Sequence, residues 1–317
     1  MKYLYFFSFL LGISILFYSF ENTSEKLPSS KEELGKRLFF EKKLSRDNSI
    51  SCATCHIPDF AFSDTLDFSI GVGGRKSKRN TPSAMNMASR ELFFFDGRAA
   101  TLEIQATFPI QDHNEMDINI DKAVSKIAQD KFYQKAFKKI YKKSPNKAYI
   151  LSAIADYERS LESSSPFDDY INGDINAINE SAKRGHKVFM NPKNKCFDCH
   201  FTPDFTGDEF KNIGLFNGKD LNDSGRYIIT KNIKDLGSFK VPGLRNIAIT
   251  GPYMHNGMFK SLKEVIAYYN NPKAKIQDAI NTDSLLHKPL LMTENEMIDL
   301  EEFLKTLTDP IFVKKKP

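Results

Sequence analysis

"SCATCHIPDFAFSD", residues 51–64, places Cys52 and Cys55 two residues apart, with His56 directly after the second cysteine. The arrangement returns as "KCFDCHFTPDFTGD" at residues 195–208, with Cys196, Cys199 and His200, and the two pairs contain all four cysteines of the chain. Three uses compete for such a group. A disulfide across two intervening residues closes a small strained ring, which suits a redox-active pair better than a structural staple. Zinc prefers four converging ligands, and here each pair has its own histidine. Covalent attachment of a c-type haem uses the pattern as it stands. Two thiols add to the haem vinyl groups, and the adjacent histidine is placed under the iron as proximal ligand. Two complete copies with no spare cysteine favour two covalent c-type haems, with His56 and His200 on the irons.

The likeness between the copies is longer than the motif. Gly35 matches Gly185, Leu38-Phe39 matches Val188-Phe189, and Pro-Asp-Phe follows each histidine, which marks an internal duplication. The surrounding signals are helical. Ser30 with Glu33 predicts a capping box ahead of Leu34, Leu38 and Phe39, and Thr293 with Glu296 predicts another ahead of Met297, Leu300, Phe303, Leu304 and Leu307. Ile150, Ile154, Tyr157 and Leu161 make one apolar stripe at helical spacing. The polar, proline-broken "SSSPF" at residues 163–167 is the best division point. The expectation is an all-α protein of two cytochrome-c-like domains, residues 23–165 and 166–317, each packing short helices on one haem.

With 317 residues, 41% of them hydrophobic and 12% aromatic, the chain can bury one large core or two smaller ones. The net charge of +5 is modest and the lysines are spread out, so no nucleic-acid partner is expected, while an anionic redox partner is compatible. The chain opens "MKYLYFFSFLLGISILFYSF" before the polar "ENTSEK", the layout of an export signal or an uncleaved membrane anchor over residues 1–22. Either places the bulk of the protein outside the cytoplasm, in the periplasm. No cysteine ends the apolar run, which argues against a lipoprotein.

Between and after the haem motifs lie "RNTPSAMN" (79–86), "FFDGRAATLEIQA" (94–106), "NEM" (114–116), "VPGLRN" (241–246) and "TGPYMHNG" (250–257). In this order the set resembles the bacterial di-haem cytochrome c peroxidase family, which includes the MauG-type enzymes that oxidise tryptophans in a partner protein. The resemblance implies reduction of hydrogen peroxide to water at the first haem, with electrons from a small c-type cytochrome or similar donor passed through the second. It places Gln105 and Glu115 on the distal side of the first haem, Glu115 as acid and base and Gln105 orienting peroxide; without the flanking motifs both would read as solvated polar residues. Many family members carry a switchable histidine ligand in the loop after the first motif. Here "IGVGGRKSKRNTPSAMNM" (70–87) has none, nor does any other position between Ile57 and Asp112. The implication is an iron open at rest, with Pro109 as an apolar distal wall. His113 fits a distal-pocket or surface residue.

For the second haem the resemblance points to Tyr269 as the sixth ligand, with Met254 as the alternative. The usual bridging tryptophan is absent, since the chain has no Trp, and Phe95 stands in its place. A calcium ion is implied between the domains, held by the Asn80 side chain and the carbonyls of Thr250 and Pro252, hard oxygen donors of the type calcium takes; Asn80 reads equally as a turn residue before Thr81-Pro82. Arg245 and Arg226 are candidates for pairing with haem propionates, with surface salt bridges as the alternative. His186 and His287 read as structural or solvent-facing. Family members often pair as homodimers. Two rival functions remain: a MauG-like oxidase acting on a protein or other organic substrate, and a plain di-haem electron carrier, which would not need Gln105 and Glu115.

Overall fold

The computed structural model describes residues 25–313. The apolar opening segment, read above as an export signal or anchor, lies outside them. Among the described residues no helix is long and apolar enough to cross a membrane.

The first half contains α1 (Lys31–Phe39), α2 (Cys52–Cys55), α3 (Leu102–Gln105), α4 (Thr107–Gln111), α5 (Ile120–Gln129), α6 (Lys131–Tyr141) and α7 (Lys147–Arg159). The second contains α8 (Pro166–Ile171), α9 (Glu180–Met190), α10 (Tyr227–Thr230), α11 (Leu262–Asn270), α12 (Pro272–Lys275), α13 (Glu294–Lys305) and α14 (Pro310–Val313). Among the described residues the one sheet is a two-stranded antiparallel pair, β1 (Phe210–Lys211) against β2 (Phe239–Lys240), so the fold is all-α. The caps follow the sequence closely. Thr293 and Glu296 form the full reciprocal box at the start of α13. At α1, Ser30 accepts from the Glu33 amide at 3.0 Å, but the Glu33 carboxylate reaches one residue further back, to the Ser29 amide at 2.6 Å.

The two shared glycines explain the architecture. α1 crosses α7 at Gly35, where a Cβ would lie 1.7 Å from the Ala153 carbonyl oxygen and 2.9 Å from the Tyr157 Cβ. α9 crosses α13 at Gly185, where a Cβ would lie 1.8 Å from the Asp299 carbonyl oxygen and 2.8 Å from the Phe303 Cβ. Only a residue without a side chain lets the helices approach this closely. Two separate cores form around these crossings. One joins Leu34, Leu38 and Phe39 to Ile150, Ile154, Tyr157 and Leu161. The other joins Phe167, Phe189 and Phe205 to Phe303 and Leu307. His186 packs into the second as an aromatic, its ring centroid 4.9 Å from that of Phe167 and 5.3 Å from that of Phe303.

Ion pairs join the halves. Arg79 donates to both Asp223 carboxylate oxygens at 2.7 and 2.8 Å, and also to Asp96 at 2.7 Å. Arg90 pairs with Asp204 and Asp208 of the second half, where Lys240 shares Asp208 at 2.7 Å. Such half-buried pairs fix relative placement more than they add net stability.

Candidate active site

The histidine that follows each cysteine pair is held the same way. His56 Nδ1 lies 2.9 Å from the Phe62 carbonyl oxygen, and His200 Nδ1 lies 2.8 Å from the Phe205 carbonyl oxygen. With Nδ1 as donor, Nε2 keeps its lone pair for a metal. Both acceptor residues sit in the left-handed region, Phe62 at φ 56° and Phe205 at φ 57°, so the same uncommon turn is built twice to present that carbonyl. All four thiols are free and at least half-buried, and burial pushes the Cys55 thiol up to about 11 and the Cys196 thiol up to about 12.

Cys196, Cys199 and His200 open onto a cleft with about 1740 Å³ of empty volume, part of it open to solvent. Val265, Ile266, Leu300 and Leu304 wall it with apolar surface. Tyr269 and Met254 both line it. Among the described residues the Tyr269 hydroxyl has no hydrogen-bond partner, and burial pushes its pKa above the ordinary phenol value. Tyr268 instead donates to the Ile213 carbonyl at 2.5 Å, as a structural residue. The free imidazole nitrogen, the free thiols and the apolar walls fit a covalent haem, and both Tyr269 and Met254 are within the same lining.

The duplication extends to the distal side. Phe93 bridges Ala99 as Tyr253 bridges Phe259, with left-handed Phe94 and Met254 (φ 70° and 71°) and left-handed Gly97 and Gly257 (φ 71° and 64°) at matching places. Two residues after each bridge, Thr101 caps α3 and Ser261 caps α11. In this register Gln105 matches Val265 and Pro109 matches Tyr269. Val265 and Tyr269 line the second cleft, and Gln105 and Pro109 hold the matching positions in the first half. Gln105 Oε1 is buried with no hydrogen-bond partner, a state that costs about 1–3 kcal/mol unless a ligand supplies a donor.

Glu115 closes a turn in which its amide donates to the Asp112 carbonyl at 3.0 Å and its own carbonyl accepts from the Val72 amide at 2.8 Å. Gly71 allows this contact, because a Cβ there would lie 1.9 Å from the Asn114 carbonyl oxygen. The histidine-free loop is thereby pinned against the Glu115 turn, and Arg75 donates to the His113 carbonyl at 2.6 Å. The Glu115 carboxyl is pushed up to about 7, first by burial and then by neighbouring Asp112, with Arg98 opposing. Of the two places expected for His113, the structure selects the surface: its side chain is 71% exposed and contacts Asp117 at 3.2 Å.

Phe95 lines the second cleft, and its carbonyl accepts from the Lys240 amide at 2.7 Å. Beside it on the same wall, His255 stacks on Phe239 with ring centroids 3.8 Å apart, and burial pushes His255 down to about 4. Sequence reasoning passed over this stacked pair; the parallel between "FFDG" and "MHNG", which sets His255 opposite Phe95, was the available signal. Asn80, Thr250 and Pro252 border the same cleft, with the Asn80 amide donating to the His255 carbonyl at 2.8 Å and its Nδ2 to the Leu66 carbonyl at 3.0 Å. Arg245 lines the cleft, but its fork is already engaged by Asp168 at 2.7 and 2.9 Å and by Asp204 at 2.7 Å. Arg226 donates to the Asp96 carbonyl at 3.1 Å and lies over the Phe210 ring. His287 is exposed and bonds the Thr282 carbonyl at 3.0 Å.

Two histidine-presenting turns, two free thiol pairs and two helical cores define a two-haem protein of the c-type cytochrome class. The di-haem cytochrome c peroxidase family model matches residues 29–176, and the cytochrome c family model matches residues 182–308. The methylamine utilization protein MauG of Methylorubrum extorquens is 38% identical over 284 residues, covering 89% of this chain and 79% of that protein. The cytochrome c551 peroxidase of Pseudomonas aeruginosa is 33% identical over 280 residues, covering 84% and 80%. The crystal structure of a MauG-like protein associated with microbial copper homeostasis superimposes with a TM-score of 0.82 at 30% identity, covering 91% and 92%. The chain belongs to the di-haem cytochrome c peroxidase family that includes MauG.

Proposed function

We propose that this protein is a periplasmic di-haem peroxidase that reduces hydrogen peroxide to water with electrons from a small c-type cytochrome. The observation that carries this reading is the presence, in the half of the chain that holds His56, of both Gln105, a buried amide with an unfilled acceptor, and Glu115, a buried carboxyl pushed up to about 7. Bound through Cys52, Cys55 and His56, one haem would supply an iron with an open position, and bound through Cys196, Cys199 and His200, the other would store electrons. Glu115 as carboxylate takes a proton from the inner peroxide oxygen, and as carboxylic acid it returns that proton to the departing oxygen. A pKa near the working pH keeps both forms within reach. Gln105 Oε1 accepts from the peroxide O–H and orients it. Pro109, which has neither an N–H nor a polar side chain, leaves the open position without a protein ligand. At the second site Tyr269 would supply an oxygen ligand, and Phe95, Phe239 and His255 line the same cleft. Asn80, Thr250 and Pro252 would hold a calcium ion there.

A second reading, a MauG-like oxidase of a protein or organic substrate, is favoured by one specific observation, the unpartnered phenol of Tyr269 on the cleft wall. Steady-state turnover with peroxide and a reduced small cytochrome separates the two. Efficient oxidation of the cytochrome supports the peroxidase. Long-lived oxidised states without cytochrome turnover overturn it in favour of the oxidase.

A further inference from the structure

Glu158 is a carboxyl that the peroxide chemistry leaves unused. It lies on α7, is 6% exposed, and its Oε2 has no hydrogen-bond partner. The duplication shows what it faces. Ala153 and Tyr157 meet Gly35 as Asp299 and Phe303 meet Gly185, so the next residue on each helix, Glu158 and Leu304, takes the same place in its own half. Leu304 lines the cleft that holds Cys196, His200 and Tyr269. Glu158 therefore stands at the wall of the first haem site, and after burial it is the largest influence on Cys52. A leucine is the inexpensive choice for such a wall. A buried carboxyl with an unmade hydrogen bond is destabilising there, so its presence calls for a use.

The surroundings suit a proton rather than a fixed charge. Glu103 on α3 opposes ionisation of Glu158, and Arg159 on its own helix favours it. These two pair with each other at 2.6 Å and are about one third exposed. Cys52 faces it from α2 and becomes a non-titrating thioether once haem is attached. From α1, Glu32 acts on the neighbouring Tyr157. No cation is bonded to Glu158 Oε2, so ionisation would leave a buried negative charge that only a positive change nearby can balance.

We propose that Glu158 is the proton-holding residue of the first haem: its carboxyl O–H breaks and the proton leaves to solvent when that iron gives up one electron, and the proton returns with the electron. In turnover the electron goes to peroxide; in a redox titration it goes to the mediator. The buried group keeps the same net charge in both states. The second haem, with Leu304 at the equivalent place, has no such group and serves as the control within the same molecule. The inference rests on the two-haem reading above.

The test is a spectroscopic redox titration of the mature two-haem protein, following each haem's own absorption band, with haem content counted beforehand. In wild type the first haem's midpoint potential falls as pH rises from about 6 to about 9. In Glu158→Gln, and in Glu158→Leu, which copies the second half's own packing, that slope drops by half or more while the second haem's slope is unchanged. An unchanged first-haem slope in both variants, or equal loss at both haems, overturns the proposal. A wild-type protein that takes up fewer than two haems overturns the two-haem reading together with it.

Discussion

Pro109 stands eight residues after Thr101, the cap of α3, and Tyr269 eight residues after Ser261, the cap of α11, so the two hold matching positions in the two halves although α11 runs unbroken to Tyr269 and Pro109 lies on the next short helix, α4. One cannot bind a metal through its side chain, and the other presents a phenol with no hydrogen-bond partner among the described residues. This difference makes two similar sites chemically unequal. The ferric protein is expected to show one haem with an open position and one closed by oxygen. Tyr269→Phe should open the second, seen as a new high-spin signal in absorption and paramagnetic resonance, with the first unchanged. A methionine-to-iron charge-transfer band in wild type would instead assign Met254.

Replacing Glu115 by Gln removes the proton acceptor without changing shape. Peroxide turnover should fall by about 10²–10⁴-fold, the usual range for a general acid and base, with haem content unaltered. The sign of the pH dependence follows from the first step, which needs the carboxylate. In wild type, kcat/KM for peroxide should rise with pH through about 7 and then level off, whereas the variant's profile over the same range should be flat.

The crossings at Gly35 and Gly185 are expected to be intolerant of a single methyl group, because a new Cβ would meet a backbone carbonyl that no rotamer change can move. Gly35→Ala and Gly185→Ala should each lower stability by about 1–3 kcal/mol or more in urea melts. Each should loosen the haem of its own half first, read from that haem's absorption. Equal loss at both haems from either change would argue against two separate cores.

Glu158 also predicts the pH dependence of stability. An ordinary glutamate titrates near 4.5, and burial raises this one to about 8 in the folded protein. Between those values the unfolded chain has already lost the proton that the folded chain keeps, so stability falls as pH rises across the interval and levels off above it. Chemical denaturation of Glu158→Leu beside wild type should show this component gone, with the variant the more stable of the two near pH 8.

Much of the site was legible in the sequence because its signals are local. The haem motifs, the Thr293–Glu296 box and the two crossing glycines each depend on residues a few positions apart, and each appears where the pattern places it. The Ser30 box was legible only in part, since Glu33 chose Ser29 over Ser30. His113 could be placed on neither side until the turn closed by Asp112 and Glu115 directed it to solvent. Glu158 and the Phe239–His255 stack carried no readable motif. α7 and α13 share almost no letters, and their equivalence appears only where each meets its glycine.

By itself, then, the sequence determined that there are two c-type haem motifs and that helices surround them, because the attachment motif and helix capping act within a few residues of chain. Only the tertiary structure decided which side chains wall each site. That choice depends on helices more than a hundred positions apart in the sequence crossing at one contact, α1 on α7 and α9 on α13, and the register at that contact gives Glu158 and Leu304 the same place in their two halves.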